Sequence, residues 1–134
     1  MREYNLFIIK EEHIDLYQNN PEYLFRLLSN LYGLRKNFNY GISLYNQLCL
    51  PFKTDIISQY LNERYNLDNK KSFYINNTLI LLKASRIVVK SQYNLPSIVK
   101  VFNYYSNNIF VCDFQKKDYF WLTKFIKTKS LEYI

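Results

Sequence analysis

The chain of 134 residues is 49% apolar and 19% aromatic, with 14 Tyr and 10 Phe, so it can bury one core without staples and is the size of one domain, 1–134. Its formal charge of +7 is lopsided: residues 1–69 carry seven Lys/Arg against eight Asp/Glu, and residues 70–134 carry eleven against three. The only glycines, Gly33 and Gly41, exclude a GxGxxG turn or a P-loop, and no apolar run reaches the length of a membrane span.

The stretch Tyr4–Ile9 is apolar and rich in aromatic and β-branched residues, as a buried strand would be. It is followed by Glu11 and Glu12, which suit the positive end of a helix. On that helix His13 and Tyr17 are four apart and share a face, which predicts an exposed aromatic-plus-imidazole stripe, with Ile14 and Leu16 turned to the body of the protein. Leu6–Ile9 is too short, and too soon followed by charge, to be a signal peptide, so a cytoplasmic protein is expected.

Asn20-Pro21-Glu22 starts a second helix, with a capping residue, a first-turn proline and an acid. Leu24, Leu27, Leu28 and Leu31 give it one apolar face, and Gly33 is its natural stop. Between 34 and 50 the spacing fits both periods: Phe38, Tyr40, Ile42 and Leu44 alternate, while Ile42, Tyr45, Leu48 and Cys49 recur as on a helix, and helix is the reading preferred. Pro51 ends that segment, Thr54-Asp55 opens another helix, and 66–71 is a polar connection.

The second half turns to strands. Ser72–Lys83 and Arg86–Lys90 read as strands, with Asn76-Asn77 as a turn or kink and Ala84-Ser85 as a tight connection. Asn94-Leu95-Pro96 starts a helix carrying Ile98, Val101 or Phe102, and Tyr105 on one side, and Ile109–Cys112 is apolar on both faces, as a central strand is. A turn over 113–118 then returns the chain into Tyr119–Leu122 as a hairpin. The order of elements predicts an α+β domain, a mixed sheet of about five strands with helices packed against it.

Catalytic patterns are not evident. His13 is the only histidine, and a zinc site would have to gather it with Cys49 and Cys112 from three distant segments. Both cysteines stand in apolar surroundings without CxxC spacing, which favours free buried thiols in a reducing compartment over a disulfide. Asp113 and Asp118 flank a turn, where Asp supports backbone geometry, and Trp121 reads as core. No enzyme, cofactor or metal is expected. A binding function of another kind is open to the basic half, in which Lys83, Arg86, Lys90, Lys116, Lys117, Lys124, Lys127 and Lys129 interleave with Tyr93, Tyr119 and Phe125, the ingredients of a nucleic-acid surface.

Two stretches resemble a known family. Tyr4-x-x-Phe7-Ile8-Ile9-Lys10-Glu11-Glu12 with the aromatic Tyr17, and Phe110-Val111-Cys112-Asp113-Phe114-x-x-Lys117-x-Tyr119-x-Trp121-Leu122, are similar to the two ends of SirA, the sporulation inhibitor of DNA replication of endospore-forming bacteria and their relatives. The likeness is looser from Phe73 to Tyr105 and poor from Leu31 to Lys71. It implies a non-enzymatic inhibitor, monomeric before binding, that occupies domain I of the initiator DnaA and blocks its productive assembly at the origin. It also implies that the first helix makes the contact, at positions matching His13 and Tyr17, where His13 departs from the family's aromatic. Direct nucleic-acid binding by the basic half is the alternative.

Overall fold

The computed structural model describes residues 1–33, 38–66, 70–92 and 94–132. Its frame is β1 (Arg2–Ile9), an eight-residue strand whose last six residues are buried on both faces. Such a strand must be central, and β1 pairs on one side with β5 (Ile87–Ser91), Leu6 opposite Ile87, and on the other with β6 (Ile109–Asp113), Phe7 opposite Phe110. β6 is likewise buried at every residue. Outward from β5 come β4 (Thr78–Leu82) and β3 (Ser72–Ile75), and outward from β6 comes β7 (Asp118–Trp121). A two-residue strand, β2 (Cys49–Leu50), pairs with the end of β1.

The α+β class and the helices packed on a sheet are as expected, but the sheet has seven strands and every pair is antiparallel. The extra strands have simple causes. Asn76 and Asn77 both adopt left-handed backbone (φ 48° and 65°), the geometry of a two-residue hairpin turn, so 72–82 folds back on itself as β3 and β4. β2 follows directly on a helix and was hidden by its periodicity.

Among the described residues six α-helices cover the sheet: α1 (Ile14–Gln18), α2 (Pro21–Gly33), α3 (Phe38–Leu48), α4 (Thr54–Tyr65), α5 (Phe102–Tyr105), which continues a 3-10 turn over Ser97–Val101, and α6 (Leu122–Glu132). α4, α5 and the start of α6 lie on one face, where Ile57, Leu61, Phe102 and Leu122 meet Leu6, Ile80, Ile87, Val89, Ile109 and Val111. α1, α2 and α3 lie on the other, where Tyr17, Leu24, Leu28 and Leu48 meet Phe7, Ile9, Phe110, Cys112 and Trp121. Leu24 and Leu28 are wholly buried on the expected apolar face of α2, each contributing on the order of 1.5–3 kcal/mol.

One ionic clamp closes the sheet at the first strand. Arg2 reaches Asp113 and Asp118, each at 2.9 Å, while the other oxygen of Asp113 accepts the Lys116 N–H across the hairpin turn. Asp113 thus supports turn geometry as its position predicts, while the contact shown for Asp118 is with Arg2.

Candidate protein-binding surface

The chain leaves β1 at Lys10, whose N–H bonds the Leu48 carbonyl, and makes a 3-10 turn over Glu11–His13 before α1 begins. Glu11 and Glu12 occupy the first turn as expected and are exposed. α1 is five residues long, held at its far end by neighbours: the Asn20 side-chain amide donates to the Leu16 carbonyl, and Lys124 from α6 donates to the Gln18 carbonyl. A cation at the C-terminal end of a helix also meets its negative pole.

His13 is half-buried, and its Nε2–H donates to the Gln47 carbonyl at 2.8 Å. Tyr17, expected on an exposed stripe beside it, is only 6% exposed and belongs to the core under α2. Its ring stacks on Tyr23 at 6.0 Å and lies 6.2 Å from His13. Ile14 packs inward as expected, whereas Leu16, assigned to the body of the protein, is 57% exposed. The cause is the crossing of α2. It presents Tyr23 and Leu24 to the side of α1 that carries Ile14 and Tyr17, and a tyrosine ring buries more area there than Leu16 would.

The accessible surface is therefore Leu16 and Tyr23, the latter 55% exposed, with Tyr17 as the support beneath Tyr23 and His13 at the margin. His13 also lines an open hollow of about 510 Å³, together with Lys10, Glu12 and, from α3, Ser43, Asn46 and Gln47. The three α3 residues are spaced i, i+3, i+4, a polar helical face legible in the sequence but unassigned there.

Among the described residues no three His, Cys, Asp or Glu side chains converge as metal ligands. Cys49 and Cys112 are free and buried, so the disulfide alternative does not apply. Burial pushes the Cys49 thiol up to about 12 and the Cys112 thiol well above its usual value, which suits packing and not nucleophilic attack.

The basic half is dispersed. Lys83 and Arg86 belong to the β4–β5 connection and Lys90 to β5, Lys116 and Lys117 to the β6–β7 turn, and Lys124 and Lys127 to α6. Tyr119 stacks on Phe25 at 4.8 Å and Phe125 on Phe120 at 4.7 Å, so both rings serve packing. Tyr93 lies outside the described residues, as does the side chain of Lys129.

No protein-family model matches the chain, and no curated protein matches it significantly. Among the described residues no helix is long and apolar enough to cross a membrane.

Proposed function

We propose that this protein is a non-enzymatic inhibitor of replication initiation, acting by binding domain I of DnaA through the surface around α1. The observation that carries the reading is the exposure of two large apolar side chains on contacting helices, Leu16 of α1 and Tyr23 of α2, with His13 lining a polar hollow together with Gln47. An exposed aromatic with an aliphatic neighbour, ringed by polar groups, is the composition of a protein interface. Further support comes from the two stretches that resemble SirA. They are far apart in sequence, yet they form the adjacent central strands β1 and β6 and share one core.

His13 and Tyr17 take different parts in this reading. His13 contributes at the rim, its ring fixed by the Gln47 carbonyl, whereas Tyr17 holds Tyr23 in place from below. The test is a calorimetric titration of DnaA domain I into the wild type and into Leu16→Ala, Tyr23→Ala and His13→Ala. The first two variants are expected to weaken binding by about 1 kcal/mol or more each. Wild-type protein that gives no heat with domain I would refute the assignment.

A further inference from the structure

The sheet continues from β1 into β5 and β4 on the face that α1, α2 and α3 cover. There lies a cleft of about 570 Å³, within the size range of small-molecule sites. Its inner walls are apolar: Phe7 on the sheet, Leu28 and Leu31 on α2, and Ile42 on α3. Its mouth is cationic, with Lys83 and Arg86 supplied by the β4–β5 connection and its junction with β5. Register explains the placement: Leu6 pairs with Ile87, which sets Arg86 beside Phe7, on the face to which α2 and α3 bind.

Both cations lack a carboxylate within ion-pair distance among the described residues. Arg86 is nonetheless positioned, since its guanidinium carbon sits 4.8 Å from the centre of the Tyr32 ring, which is itself stacked on Phe114 at 4.8 Å. A guanidinium held over a ring keeps its N–H donors for a second partner. The opposite wall is fixed as well. The Tyr45 hydroxyl donates to the Ser85 carbonyl at 2.9 Å, tying α3 to the β4–β5 connection.

We infer that this cleft is a binding site for an amphiphilic carboxylate, its apolar body between α2, α3 and Phe7 and its carboxylate on Arg86 and Lys83. Charge complementarity selects the head group and the apolar walls select the tail. The site is independent of the DnaA reading, because Ile42 and Tyr45 look into the cleft while Ser43, Asn46 and Gln47 line the hollow at His13.

The test is a calorimetric titration of the full chain with decanoate, with decanol and decyltrimethylammonium as neutral and charge-inverted probes. Two variants separate head from tail. Lys83→Gln/Arg86→Gln removes the cations, and Gly41→Leu fills the cavity where an added Cβ would meet only the Leu31 Cδ2, at 3.8 Å, at a helix position that gains by losing glycine. Saturable decanoate binding is expected, at least tenfold weaker in each variant, with decanol weaker than decanoate in the wild type. The proposal is overturned by no saturable decanoate binding, by equal binding of decyltrimethylammonium, or by decanoate affinity unchanged in both variants. It is likewise overturned if an acidic amphipathic peptide competes for the site while decanoate does not bind.

Discussion

The two faces of the sheet are finished to different degrees. Under α4, α5 and α6, every long strand from β3 to β7 sends side chains into one continuous core. Under α1, α2 and α3, the core cluster of the described residues draws on β1, β2, β6 and β7, while Val88 of β5 is buried on the same face outside that cluster. The first face carries the larger continuous core. The second carries the cationic cleft and the exposed Leu16 and Tyr23 of its helices. Continuity of the core thus distinguishes the two faces.

Substitutions should separate the faces by size of effect. On the first face, Phe102→Ala is expected to cost about 3–5 kcal/mol in urea unfolding. Tyr17→Ala, under α2, is expected to cost about 3 kcal/mol, because its ring is core. A Tyr17→Ala protein as stable as wild type would return that residue to the surface and break the comparison at its most informative point.

The thiols of the second face give a pH signature. A group whose folded pKa is raised stabilises fully below its unfolded pKa and loses that contribution as pH climbs toward the folded value. For Cys49 the window runs from its ordinary value of 9.0 to about 12. The urea midpoint should therefore fall across that window, and Cys49→Ala should flatten part of the fall. Tyr4, Tyr17 and Tyr45 act in the same direction, since burial also raises their hydroxyls.

The smallest stability effect belongs to the binding surface. Leu16→Ala should shift unfolding by less than about 0.5 kcal/mol, being surface-exposed, while weakening domain I by about twice that or more. A variant that loses stability and binding together would show Leu16 to be structural and shift attention to Tyr23.

Much of the frame is legible in local pattern. The apolar runs at Tyr4–Ile9 and Ile109–Cys112 are central strands, Leu24 and Leu28 of α2 bury fully while Leu27 and Leu31 on the same face pack in part, and the Thr54 helix starts where its signal lies. The helix preferred for 34–50 is present as α3 from Phe38, and residues 34–37 lie outside the described residues. α6 went unread because Lys124, Lys127 and Lys129 dominate its composition, while the apolar residues it packs, among them Leu122, Phe125 and Ile126, are few and interrupted by charge. The surface was harder to read for a different reason. Helical spacing groups His13, Ile14 and Tyr17 on one side, but which side meets α2 depends on Tyr23, and that is a tertiary fact. The cleft is more remote still, since Phe7, Tyr45 and Arg86 meet only through strand register and helix packing.

The position of β1 also has a consequence for biogenesis. It is made before its long neighbours β5 and β6, which lie far along the chain, although it is central to the sheet. Until they are made, Leu6 and Phe7 have no strand partner, and Ile8 and Ile9 have only the two residues of β2. Long-range pairing of this kind folds slowly and exposes apolar backbone edges meanwhile. Chaperone dependence should be read in that first strand.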